Sequence, residues 1–236
     1  MLSLRSSLIF ALCMIFLTLA AAGKHISIKN DASFTVVASK NNPRLNDNRE
    51  ESFQESLAKL SIPDSYKLKE VIIGHKNAPH SVVVYLSFSC CHCRDFFRDE
   101  FLKIRKKYAD TGIIKIYLKN YLDDLGALEA AVLVRCFGGE LLKKVLELSG
   151  KVFDKQKEWL SSKDPREFLK NIFRAYGKSK VDSCSKNEKI SAGLMKEQQR
   201  AHELKIMSVP AFVIDGKIHQ GNLTCEKLEE ILKIKK

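Results

Sequence analysis

The apolar positions change period along the chain, and each change marks an element. Val82-Val83-Val84-Tyr85-Leu86-Ser87-Phe88 is an almost unbroken apolar run, which predicts a buried strand over 81–88. The residues after it repeat like a helix. Phe97, Phe101, Ile104 and Tyr108 fall at i, i+4, i+7 and i+11, so a helix is expected over 91–109. Gly112 opens a second strand, Ile113-Ile114-Lys115-Ile116-Tyr117-Leu118. Upstream, Val71-Ile72-Ile73-Gly74 is a shorter apolar segment, and Ala78-Pro79 is a break.

From about Asp123 to Ile206 the pattern is helical throughout. Leu128, Ala131, Val132 and Val134 lead to Cys136, and Gly138-Gly139 ends that helix. Leu141 to Leu148 follows, with a stop expected at Gly150. Then come Val152 to Leu160, Pro165 to Tyr176 with Asp164 as N-cap, and a helix around Lys189 to Leu204. Ser208-Val209-Pro210 precedes the strand Ala211-Phe212-Val213-Ile214. Asp215-Gly216 is a hairpin turn leading into Lys217 to Gln220. Thr224 caps a last helix to Ile234, with Leu228, Ile231 and Leu232 facing inward. The order strand, helix, strand, helical block, hairpin, helix implies an α/β fold: a small sheet packed by helices, with an all-helical domain inserted. The sheet domain is expected over 67–122 and 207–236, and the insertion over 123–206.

The first 66 residues read differently. Met1 to Ala22 has the form of a secretory signal peptide: Arg5, an apolar stretch from Leu8 to Leu19, then Ala20-Ala21-Ala22. The alternative is an uncleaved anchor, but the stretch is short for a full span. Residues 23–66 form a partly helical extension. Phe34-Thr35-Val36-Val37 suits a short strand, and Asn41-Asn42-Pro43 breaks it. Phe53, Leu57 and Leu60 make a helical stripe that Pro63 stops. Such a stripe packs on the body, stays mobile or joins protomers.

At 236 residues and 45% hydrophobic, the chain can bury a substantial core. The formal charge is +12, or +11 once Arg5 leaves with the signal. The lysines are dispersed, and no focused patch or module for nucleic acid is present. A solvated basic surface accounts for them, with weak attraction to anionic membranes. The seven cysteines change the picture more. Cys13 lies in the signal, and the other six sit in an exported chain, where disulfide chemistry is expected.

Three of the six occur in Ser89-Cys90-Cys91-His92-Cys93, at the junction of strand and helix. The first N–H groups of a helix lack internal partners, and its dipole favours negative charge there. Cys90 is therefore expected to be a thiolate nucleophile, with His92 adding a donor or positive charge. Cys93, one turn on, closes a redox-active disulfide with it. The competing readings are a structural disulfide and, for His92, a surface histidine. Cys91 should point away from Cys90, and a disulfide between those neighbours would be strained. Four near-consecutive ligand types cannot easily surround a metal, and no second cluster follows at familiar spacing, so no metal is expected.

These pieces together resemble the DsbA-type thiol:disulfide oxidoreductases, which have a thioredoxin-like fold. The matching residues are Gly74-His75-Lys76-Asn77-Ala78-Pro79, the apolar strand, Cys90-x-His92-Cys93, and Val209-Pro210-Ala211-Phe212-Val213-Ile214-Asp215-Gly216-Lys217. Phe153-x-x-Gln156-x-x-Trp159 resembles a feature of the helical insertion. The resemblance runs from about Lys67 to the C-terminus. It implies a cis bond before Pro210, with Val209 turned toward Cys90 to pair with a substrate strand. It also implies a second disulfide, Cys136–Cys184, leaving Cys225 as a small apolar filler. Cys91 stands where the family often has proline, so the family's redox potential does not carry over.

The activity implied is the periplasmic introduction of disulfides into reduced, unfolded exported proteins. No dissociable cofactor is needed, and a DsbB-like membrane quinone reductase would re-oxidise the enzyme. The alternative within the class is an oligomeric isomerase joined through residues 23–66 and kept reduced by a DsbD-like partner. Val209 favours the oxidase, since many isomerases of related fold have threonine there. Outside the class stands a chaperone or metal carrier using the same thiols.

Overall fold

The computed structural model describes residues 67–234. The signal peptide expected over 1–22 and the extension expected over 23–66 lie outside the described residues. A five-stranded mixed sheet is built from β1 (Val71–Gly74), β2 (His80–Leu86), β3 (Ile114–Asn120), β4 (Ala211–Ile214) and β5 (Lys217–Gln220), in the order β1-β3-β2-β4-β5. β2 and β3 are parallel and the other pairs antiparallel. The strand feeding the cysteine motif is therefore central, flanked on one side by β3 and on the other by the strand that follows Pro210.

The alternation of side chains gives the sheet two buried faces. Val82, Val84, Leu86, Ile114, Ile116, Phe212 and Ile214 share the main core. Tyr85 and Ala211 face the other way, where Tyr121, Ala201 and Ile206 cover them. On the main face lie α1 (Cys91–Asp99) and α2 (Phe101–Ile104), the latter passing into a wider turn over Arg105–Ala109. The single helix expected over 91–109 is thus broken at Glu100. That residue's carboxylate accepts the Cys225 N–H at 3.0 Å, at the start of the last helix, and so satisfies a donor with no partner inside its own helix.

Six helices separate β3 from β4: α3 (Leu125–Gly138), α4 (Leu142–Asp154), α5 (Gln156–Leu160), α6 (Pro165–Arg174), α7 (Lys178–Ser185) and α8 (Glu188–Glu203). α3 is buried nearly all round, as suits the centre of a helical bundle. Its Glu129 is matched by Arg166 at 3.2 Å and by the Ser185 hydroxyl at 2.5 Å. Asp124, Asp164 and Asn187 cap α3, α6 and α8 through side-chain oxygens. α4 runs through Gly150 instead of stopping there. A mid-helix glycine costs only about 1 kcal/mol, and Val152 and Phe153 continue the buried face of Val145 and Leu148. α9 (Cys225–Leu232) closes the chain, capped by Thr224.

Candidate active site

Apolar packing fixes where the cysteine motif sits. Phe96 meets Phe212 of β4 at 5.0 Å between ring centres, and Phe97 stacks on Phe101 at 5.0 Å. Phe153 of the insertion touches Phe88 and Phe97 at 5.0 and 5.1 Å. The strand end, the first turn of α1 and the insertion are thus clamped at one point. Polar groups refine the clamp. Gln156, only 1% exposed, donates to the carbonyls of Phe88 and Cys90 at 2.7 and 2.9 Å. Its own oxygen accepts from Arg94 at 3.2 Å.

Cys90 is the N-cap of α1, with extended backbone angles. It is half-buried, and its thiol donates to the Val209 carbonyl at 3.4 Å. The Val209–Pro210 peptide bond is cis. Cys93 is fully buried, and the Ser87 N–H points at its sulfur at 3.4 Å. Both thiols are free in this structure.

The two sulfurs differ sharply in acidity. Cys90 is lowered from an ordinary 9.0 to about 6. The largest cause is the hydrogen bond from the Cys93 thiol; burial opposes it, and the amides of Cys93 and His92, then the His92 charge, add to it. Cys93 is pushed up, first by burial and then by the neighbouring Cys90 sulfur. A charge shared by this pair therefore resides on Cys90, the sulfur that solvent reaches. His92 itself is exposed, and its Nδ1 lies 3.8 Å from the Cys91 sulfur. Sequence reasoning places thiolate stabilisation on the helix terminus and His92; in the structure Cys93 contributes most and the histidine least. Cys91 is exposed on the outer side of the turn.

The remaining cysteines lie apart from this site. Cys136 and Cys184 form a disulfide, with α-carbons 5.6 Å apart. Cys184 lies in the last turn of α7. Cys225 is free and buried beneath Glu100. Among the described residues, no group of three or more His, Cys, Asp or Glu side chains converges on a metal-sized position.

Gln220 and Arg94 are absent from the sequence reading of the site. Gln220 contacts the loop before Pro210. Neither carries a local signal, because each acts on a segment distant in sequence.

Residues 67–234 match the family model described as thioredoxin. Two curated relatives from Rickettsia carry the name "Putative protein-disulfide oxidoreductase". The one from Rickettsia prowazekii (strain Madrid E) is 26% identical over 79% of this chain and 71% of its own length. The one from Rickettsia conorii (strain ATCC VR-613 / Malish 7) is 27% identical over 74% of this chain and 64% of its own, so the chain spans less than two thirds of that relative. Among solved structures, alpha-DsbA1 of Wolbachia pipientis superposes with a TM-score of 0.62 at 24% identity, over 76% of this chain and 94% of that one. The chain belongs to the thioredoxin family, with the architecture of its DsbA-type disulfide oxidoreductases.

Proposed function

We propose that this protein is an exported thiol:disulfide oxidoreductase that introduces disulfides into reduced proteins through Cys90 and Cys93. One observation carries the reading: a half-exposed, acidic Cys90 sulfur faces the Val209 carbonyl, while its partner Cys93 is buried and protonated. In the disulfide form, a substrate thiolate attacks the Cys90 sulfur. The Cys90–Cys93 bond breaks, and its electron pair leaves on Cys93, which takes up a proton. A second substrate thiolate then attacks the substrate sulfur of the mixed disulfide and expels Cys90 as a thiolate. Two electrons have passed to the enzyme, and the substrate holds a new disulfide. Stabilising the expelled thiolate drives the reaction in this direction.

Val209 supports substrate pairing, because its carbonyl lies at the attacked sulfur and a substrate strand can use the same backbone edge. Export is supported by the Met1 to Ala22 pattern and by the Cys136–Cys184 disulfide, which suits an oxidising compartment. Regeneration is assigned to a membrane quinone reductase of the DsbB type. The names of the Rickettsia relatives support the same class of reaction.

The test uses the protein in its disulfide form, a reduced unfolded protein and oxidised glutathione as terminal oxidant. Catalytic loss of substrate thiols is expected, abolished in Cys90→Ser. In Cys93→Ser, treatment with a disulfide-bearing substrate should trap a mixed disulfide at Cys90. No oxidation by the disulfide form, with the dithiol form instead speeding the refolding of a scrambled protein, would replace the oxidase reading with the isomerase one. Loss of that refolding activity together with oligomeric mass on deleting residues 23–62 would assign the joining role to the extension.

A further inference from the structure

The loop that carries Pro210 is held by a side chain outside the cysteine motif. Gln220 ends β5 opposite Ala211. Its Oε1 accepts from the backbone N–H of Met207 at 2.9 Å, the N–H of Ser208 at 3.0 Å and the Ser208 hydroxyl at 3.2 Å. Its Nε2 donates to the Lys205 carbonyl at 3.5 Å. The next residue, Gly221, donates its N–H to the Pro210 carbonyl at 2.9 Å. One side chain thus spans the segment from Lys205, which has a positive φ of 56°, to Ser208.

Burial anchors this segment at Ile206 but does not hold the two residues after it. Met207 is 74% exposed, and Ser208 is exposed as well. The course of Met207 and Ser208 therefore depends on polar contacts, and Gln220 supplies several of them at one oxygen. That oxygen also occupies two N–H groups immediately before Val209. Released, they would be free donors along the edge that faces an incoming chain, and they would compete with Val209 for it.

We propose that Gln220 is a positioning residue that sets the register of the substrate. By engaging Met207 and Ser208, it leaves Val209 as the pairing point of an extended cysteine-bearing polypeptide and aims that point at Cys90. Met207, held outward, then lies beside the residue flanking the substrate cysteine. This rests on the oxidoreductase reading above.

The test compares Gln220→Leu, which loses the acceptor, with Gln220→Glu, which keeps an oxygen for all three donors. The probes are a reduced unstructured peptide with two cysteines, and dithiothreitol, which is too small to need a backbone register. In Gln220→Leu the KM for the peptide should rise about tenfold, the scale of one or two lost hydrogen bonds. Its kcat, the dithiothreitol rate and the Cys90 thiolate midpoint should stay at wild-type values. Gln220→Glu should keep the peptide KM within about twofold. Gln220→Asn, whose amide sits on a shorter arm, should behave like Gln220→Leu and serves if the leucine variant does not fold. An unchanged peptide KM in both Gln220→Leu and Gln220→Asn overturns the proposal. So does a parallel loss with peptide and dithiothreitol, which would make Gln220 a structural residue only. A wild-type protein unable to oxidise the peptide would instead overturn the oxidoreductase reading, and the register proposal falls with it.

Discussion

Replacing Cys93 separates the causes of the Cys90 acidity. Because the Cys93 thiol is the largest contributor, Cys93→Ala should move the Cys90 thiolate midpoint from about 6 upward, toward the free-cysteine value of about 8.5. Cys93→Ser keeps a donor and should move it less. His92→Ala should also raise it, by less than Cys93→Ala, since the histidine acts through its charge from an exposed position. Ultraviolet thiolate absorbance against pH checks all three; a larger shift in the histidine variant would reverse the ranking. A second residue-scale test concerns Gln156. Gln156→Leu strands the buried carbonyl of Phe88 and leaves that of Cys90 with the Arg94 N–H alone, at a cost of about 1–3 kcal/mol for the stranded group where no water reaches, read by denaturant unfolding. The place of Cys90 and Cys93 at the strand-to-helix junction was legible in the sequence because strand, cysteines and helix are contiguous there. Gln156 was legible only through the resemblance, and Gln220 not at all. Each of their bonds reaches across folded chain, over 62 to 68 residues for Gln156 and over 12 to 15 for Gln220.

At the scale of elements, the Cys136–Cys184 link ties the last turn of α3 to α7 across 48 residues. Replacing both cysteines with alanine should lower stability by about 2–4 kcal/mol, seen as a lower denaturant midpoint, with the Cys90 thiolate midpoint unchanged. Gly138, beside that link, has no room for a side chain. An added Cβ would lie 2.5 Å from Val145 Cγ2 and 3.1 Å from its α-carbon. Gly138→Ala should therefore force α3 and α4 apart and destabilise by about 1–3 kcal/mol, and Val145→Ala should relieve part of it. The sequence showed Gly138-Gly139 as a helix end, which it is, but not the close approach that excludes a methyl group there. Where periodicity was strong, as in β2, α6 and α8, the elements stand within a few residues of their expected places. It misled at Gly150 and Glu100. Packing carries α4 through a weak helix former, and α1 ends at Glu100, whose carboxylate engages a distant N–H.

The whole molecule couples its stability to its redox state through Cys90. The folded pKa of that thiol lies below its ordinary value, so ionisation favours the folded dithiol form. This contribution grows as pH rises from about 6 toward 9.0 and is lost as pH falls through about 6. Cys93, pushed upward, opposes it only above the ordinary thiol range. Relative to the disulfide form, the dithiol form should therefore gain resistance to denaturant as pH rises from about 6 and lose that gain below about pH 6. Parallel unfolding curves for the two forms across that range give the sign directly. The fold class was readable from element order, while the division of labour between the sheet's two faces needed the register of β2 and β4. That register also brings Val209 to Cys90 across 119 positions of the chain. A polypeptide emerging from its N-terminus displays both active-site thiols long before the strand that completes their surroundings exists. Until then Cys90 and Cys93 are ordinary thiols on an unfinished chain, without the burial and facing carbonyl of the finished site. The surroundings of Cys90 thus mature late: the burial and facing carbonyl of the finished site wait on the chain through Val209 and the strand after it.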